Sequence, residues 1–160
     1  MKKIKMRKII QSLIFLSIFT GCVLNECEIS EDLQPLVGNW SYIVYSDTGD
    51  YRYDFPLNSC RNVTIGEVDY EVLYGIKIGK YWTHKFVALL AEDYHEREYY
   101  GYKYFMLENE IKNSTGEVGY VTEFYFHLID DNHIKGTRRW CCNPFTGEMS
   151  DWEIFEGERI

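Results

Sequence analysis

Tyr70-Glu71-Val72-Leu73-Tyr74-Gly75-Ile76-Lys77-Ile78 alternates strictly from one residue to the next. A period of two puts Tyr70, Val72, Tyr74, Ile76 and Ile78 on one face and Glu71, Leu73, Gly75 and Lys77 on the other, the geometry of a strand and not of a helix. Gly79-Lys80 then turns the chain, and Trp82, Phe86, Ala88 and Leu90 carry the same rhythm back to about Ala91. The stretch reads as an antiparallel hairpin.

The rhythm extends both ways. Upstream, Trp40, Tyr42 and Val44 alternate with Ser41, Ile43 and Tyr45; Asp47-Thr48-Gly49-Asp50 reads as a turn, and Tyr51, Tyr53 and Phe55 open a second strand. Residues 56–62, which include Cys60, read as a loop before a short Val63-Thr64-Ile65 strand. Downstream, Glu92 to Glu98 is a charged loop or single helical turn, and Tyr99 to Leu107 is an aromatic strand. A turn region from Asn109 to Gly119 leads into Tyr120, Thr122, Phe124, Phe126 and Leu128, closed by Asp130-Asp131-Asn132. Ile134 to Cys142 and Ser150 to Phe155 flank a last turn over Pro144 to Gly147. No helix is long enough for a crossover between parallel strands. The 14 Tyr, 9 Phe and 4 Trp suit a pleated, half-buried surface. The expectation is an all-β domain over residues 37–160, an antiparallel up-and-down barrel of about 8–9 strands, since closure removes exposed edges.

The N-terminus has a different character. Lys2, Lys3, Lys5, Arg7 and Lys8 precede an apolar run from Ile9 to Thr20 that is too short to span a bilayer comfortably. That is the layout of a cleaved signal peptide. The run ends in Phe19-Thr20-Gly21-Cys22, which resembles the lipobox of bacterial lipoproteins, with Phe where Leu is commoner. The resemblance implies a signal peptide over 1–21 and an acylated Cys22, carrying palmitate-type chains, at the start of a tether over 22–36. Several acyl chains anchor a protein where one alone is marginal. The expected location is the bacterial cell envelope, on the outer or cytoplasmic membrane. The alternative is an ordinary signal peptide followed by a disulfide-forming Cys22.

Removing the signal takes away five of the 17 basic residues and none of the 25 acids, leaving a charge near −13. This argues against nucleic acid, whose binding relies on clustered Lys and Arg, and against adhesion to anionic headgroups. It is compatible with a cationic protein partner. With Cys22 acylated, Cys27, Cys60, Cys141 and Cys142 remain, an even number in an oxidising setting. Three pairings exist. Adjacent Cys141 and Cys142 point to opposite faces of a strand, so the favoured reading bridges Cys27 and Cys60 each to one of them; a vicinal bridge is the strained alternative.

Leu36-Val37-Gly38-Asn39-Trp40 resembles the Gly-x-Trp opening of the lipocalin superfamily. In that family the Trp plugs one end of the barrel and a basic residue from a late strand lies across it. The resemblance implies Trp40 and, from Gly136-Thr137-Arg138-Arg139-Trp140, preferably Arg138 as the barrel-closing pair. The Thr-Asp-Tyr type motif of the family and a C-terminal helix are not identifiable.

The leading functional expectation is a barrel that takes a small apolar or amphipathic ligand, with Tyr42, Tyr74, Trp82, Phe86, Tyr102, Tyr104, Phe124 and Phe126 as its lining. The same rings serve equally as core packing. The alternative is a protein-interaction module, such as an inhibitor of a basic envelope hydrolase, using the acidic loop around His95, Glu96 and Glu98. An enzyme has little support, because His84, His95, His127 and His133 are scattered and no nucleophile elbow or phosphate loop is present. His127 would face Glu123 or Glu71 across strands. No metal or cofactor is expected: zinc spacing is missing, and Asp130-Asp131-Asn132 lacks the remainder of a calcium loop.

Overall fold

The computed structural model describes residues 27–45, 49–65, 67–93, 101–141 and 149–160. Among these residues nine strands run β1 Gly38–Val44, β2 Tyr51–Leu57, β3 Ser59–Ile65, β4 Val68–Ile78, β5 Trp82–Leu90, β6 Tyr104–Lys112, β7 Val118–Asp130, β8 His133–Cys141 and β9 Glu153–Arg159. Single-turn 3-10 helices cover Gln34–Leu36 and Ala91–Asp93. All pairings are antiparallel, in one sheet of order β2-β1-β9-β8-β7-β6-β5-β4-β3. The first and last strands of the chain are therefore neighbours, as in an up-and-down meander wrapped on itself.

The ladder does not close, which corrects the expected barrel. Its two ends, β2 and β3, follow each other in the chain with only Asn58 between them. One bent run thus serves β1 with its first half and β4 with its second. At the bend Asn58 N–H donates to the Tyr74 carbonyl at 3.3 Å, and Gly75 lies against the backbone of Pro56, where any side chain would collide. The stretch expected to be a loop around Cys60 is strand instead. Pro56 misleads a sequence reading here, since an end strand is where proline is tolerated.

The interior face carries the main core: Leu33, Leu36, Trp40, Tyr42, Val44, Phe55, Leu57, Leu73, Phe86, Ala88, Tyr104, Met106, Phe124, Phe126, Ile134 and Phe155. Tyr42 meets Phe124 at 5.4 Å, Phe155 at 5.7 Å and Phe55 at 5.7 Å, and Phe55 continues to Phe86 at 5.7 Å between ring centroids. Rings from five strands thus touch across the middle of the fold.

A second cluster lies on the opposite face of β4 to β7: Val72, Leu89, Ala91, Phe105 and Tyr125, with Tyr70, Val87, Tyr102, Leu107 and Trp152 against them. Leu73 and Val72, though adjacent, serve different cores. Both faces of these strands are apolar, so alternation fixes parity without saying which face turns inward. On this outer side Glu123, which is buried, pairs with Arg139 at 2.9 Å, and the Arg139 guanidinium lies 4.4 Å from the Trp152 ring centroid. His127 stacks on Tyr102 at 5.5 Å rather than pairing with Glu123, while Glu71 accepts the Ser30 N–H.

Cys27 bridges Cys60, with Cα atoms 5.5 Å apart. This is one of the three pairings and not the favoured one. It fastens the N-terminal segment to β3 directly, with no late strand involved. Cys141 ends β8; Cys142, Cys22 and most of the acidic loop, including His95, Glu96 and Glu98, lie outside the described residues.

Candidate functional site

The two ends of the strand array differ in chemistry. At one end Trp40, fully buried, donates its indole N–H to the Leu36 carbonyl at 2.8 Å, and the Gln34–Leu36 turn packs beneath it. The Arg159 guanidinium lies 4.5 Å from the Trp40 ring centroid. It donates to the carbonyls of Pro35 at 2.7 Å, Asp131 at 3.1 Å and Val37. Gly38 makes this approach feasible: its φ is +146°, and a Cβ there would stand 2.6 Å from the Arg159 guanidinium. Arg159, from the last strand, occupies the position that the family resemblance assigned to Arg138. Residues 27–37 cover this end, with Leu33 and Leu36 in the core and Tyr104 Oη donating to the Asp32 carbonyl at 3.2 Å.

Arg138 sits toward the opposite end, on the interior face of β8. Its side chain is 6% exposed and pairs with Glu153 of β9 at 3.0 Å. Its guanidinium is 5.6 Å from the Tyr53 ring, 5.9 Å from Tyr42 and 6.0 Å from Trp140. Its buried Nε–H has no acceptor among the described residues. A buried donor attached to a charge is costly to leave unmet.

The facing wall is acidic. Register and alternation bring His84 and Trp82 of β5, Glu108 and Glu110 of β6, and Thr122 of β7 to the interior side, with His84 opposite Glu110 and Glu108 opposite Thr122. His84 Nδ1 lies 2.8 Å from a Glu108 oxygen. That hydrogen bond raises the His84 pKa above its ordinary 6.5 and keeps the imidazole charged further toward neutral pH. Burial chiefly, with the Glu108 charge beside it, raises the pKa of Glu110. The Glu110 carboxylate has no hydrogen-bond partner among the described residues. Tyr42 forms the floor; burial, then the Glu108 charge, pushes its hydroxyl well above 10.0, although Arg138 acts the other way, so it stays a neutral O–H. Tyr51, Tyr53, Tyr120 and Trp140 stand at this end with 41–48% exposure, and the Tyr120 and Trp140 rings lie 5.7 Å apart, tilted by 40°.

Turns brace this wall. Asn113 Nδ2 donates to the Gly79 carbonyl at 2.9 Å, its Oδ1 accepts from Thr83 Oγ1 at 2.7 Å, and its N–H reaches the Tyr81 carbonyl at 2.9 Å. The β4–β5 and β6–β7 turns are thereby tied together.

Of the expected lining, Tyr42, Phe86, Tyr104, Phe124 and Phe126 share the interior core, and Trp82 lies half-buried near the mouth. Tyr74 is opposite Val87 on the outer face, under Arg61 at 4.1 Å, and Tyr102 belongs to the outer cluster. The structure therefore divides the eight residues between two faces. Sequence reasoning missed Glu108, Glu110, His84 and Glu153 as one group, because they lie on three strands. A signal did exist: Glu108 and Glu110 interrupt the expected apolar face of β6 in the same parity as Tyr104 and Met106. No protein-family model, curated protein or solved structure matches the chain.

Proposed function

We propose that the chain is a bacterial lipoprotein, tethered to an envelope membrane through acylated Cys22, whose sheet acts as a lipocalin-like cup that takes a small amphipathic ligand at its open end. The single observation that carries the reading is the contrast between the ends, one sealed by Trp40 and Arg159, the other lined by Arg138, His84, Glu108, Glu110 and Glu153 among aromatic rings. Binding sites are typically apolar concavities with a few convergent polar groups. Since rings already touch across the middle of the fold, the ligand rests against the partly exposed rings of Tyr53, Tyr120 and Trp140 rather than filling the interior. The open ladder between β2 and β3 is compatible with such a cup, because the bent run keeps β2 against β4 through Asn58 and Pro56.

That packed middle also favours a second reading, an acidic module that engages a cationic protein through its surface. Native mass spectrometry of the full chain purified from membranes separates the two. A stoichiometric small molecule supports the cup. An empty chain that captures a basic envelope protein, in a manner weakened by salt, supports the module. The anchor is tested by radiolabelled palmitate, which should enter the wild-type chain and not Cys22→Ser.

A further inference from the structure

We infer that the tip formed by the β4–β5 and β6–β7 turns is a second membrane contact, lying in the headgroup layer of the bilayer that holds Cys22. The inference rests on the acylation of Cys22 and adds a surface through which the folded domain itself meets lipid.

The strand register builds this surface. Ile78 lies opposite Thr83, Thr83 opposite Ile111 and Ile111 opposite Val118, so one row crosses four strands on the outer face. The next row, Ile76, Lys85, Asn109 and Val121, runs beside it. Nearer the middle of the sheet the same face is covered and forms the second core, but at the tip it is bare. Ile78 is 78% exposed, Tyr81 66%, Val118 51% and Ile76 40%. Asn113 ties the two turns together, so these side chains stand on one braced platform. Aliphatic groups exposed together in this way mark a protein or a membrane partner.

Charge and chain length choose between the two. The chain as a whole is acidic, yet residues 76–85 hold Lys77, Lys80 and Lys85 with no Asp or Glu. Lys77 is turned to Asp54, and Lys80 lies 5.0 Å from the Tyr81 ring centroid. Lys112 is exposed on the neighbouring turn, where Glu117 accepts from Thr115 Oγ1 at 3.0 Å. Aliphatic tips fringed by tyrosine and lysine suit the headgroup boundary: the tips enter, tyrosine sits at the interface and lysine stems reach lipid phosphate. A second copy seated on the same patch would set the lysines of both chains against each other. The anchor lies close by. Cys27 is bridged to Cys60, and Cys60 is opposite Leu73 on the strand that runs on to Ile76 and Ile78. Only four residues separate Cys22 from Cys27. Fully extended, that interval spans about 17 Å, so the bridge holds the acylated end near the strand that carries the patch. Both turns belong to the open end, which therefore stands at headgroup level.

The test is hydroxyl-radical footprinting of the full chain in vesicles of phosphatidylethanolamine and phosphatidylglycerol, read by mass spectrometry at Tyr81. Tyr45, 49% exposed and beside Glu156 of β9, is the internal standard. Tyr81 should be oxidised about fivefold less than in the Cys22→Ser chain in lipid-free buffer, with Tyr45 unchanged. Ile78→Ser combined with Lys80→Glu and Lys85→Glu, none of them in either core, should restore Tyr81 oxidation while the chain still floats with the vesicles. A floating chain whose Tyr81 is oxidised as readily as in buffer would overturn the inference and leave the anchor. Protection that survives the triple substitution, or that fades when vesicles are loaded more sparsely, would assign it to crowding or to a second copy and overturn the inference as well. A chain that does not float would overturn the anchor and the inference together.

Discussion

Two arginines on neighbouring strands each lie over aromatic rings, and the protein uses them in opposite ways. Arg159 approaches Trp40 to 4.5 Å and gives donors to three backbone carbonyls. Arg138 stands 5.6–6.0 Å from three rings, pairs with one carboxylate and keeps its Nε–H without an acceptor among the described residues. The first is a finished lock. The second has, among the described residues, one donor unmet in a place that rings and acids surround. The difference teaches that arginine over an aromatic ring is no guide to role by itself; what its remaining donors meet distinguishes one such arginine from another.

The sharpest way to break the comparison is at the lock. Trp40→Ala removes a fully buried ring, and large-to-small changes of this type cost about 3–5 kcal/mol, so chemical denaturation should show most of the stability lost. Removing the bridge by Cys27→Ser with Cys60→Ser frees a segment of 33 residues in sequence separation. The loop-entropy relation gives about 3–4 kcal/mol, seen as a lower urea midpoint, and reducing agent should reproduce it in the wild type. A loss at either position places the stability of this chain at the sealed end.

Exchanging the two arginines for methionine sharpens the contrast directly. Arg159→Met strips donors from three carbonyls and should cost about 2 kcal/mol. Arg138→Met removes one partner of an ion pair whose Glu153 is 35% exposed and able to hydrate, so the expected cost is under about 1 kcal/mol. Ligand affinity should respond the other way round. Equal stability costs would show that both ends are structural.

The smallest effects concern pH. The pKa of His84 is raised in the folded state, so its contribution to stability is fully present below its unfolded value of 6.5 and is lost as pH rises through the raised value. Denaturation midpoints should fall slightly above neutrality in the wild type and less so in Glu108→Gln. The pKa of Glu110 is also raised, chiefly by burial, so its ionisation opposes folding as pH climbs through the carboxylate range. Glu110→Gln should therefore be slightly more stable than wild type at pH 7 and indistinguishable in acid.

The strand pattern was legible because a pleated backbone forces period two, and Trp40, Tyr42 and Val44 or Phe124 and Phe126 obey it. Turn chemistry at Gly79, Asn113 and Asp130-Asp131-Asn132 was legible for the same local reason. The strand limits of β6 were less so, because Glu108 and Glu110 broke the apolar alternation that marks a half-buried strand. The face of Tyr74 could not be read at all. Both Val72 and Leu73 are buried, and alternation has no sign when two cores sandwich the same strands.

By itself, then, the sequence determined the class of the fold, its antiparallel hairpins, the acidic charge and the place of Trp40 at the head of β1, since each depends on neighbours in the chain. Tertiary structure alone decided that β2 and β3 are one bent run with an unclosed ladder, and that Cys27 joins Cys60. It decided too that Arg159 covers Trp40 while Arg138 meets Glu153 below the mouth. The physical reason is range. Dihedral preference and alternation act over a few residues, whereas a pairing across 119 residues, as between Trp40 and Arg159, depends on how the sheet curls.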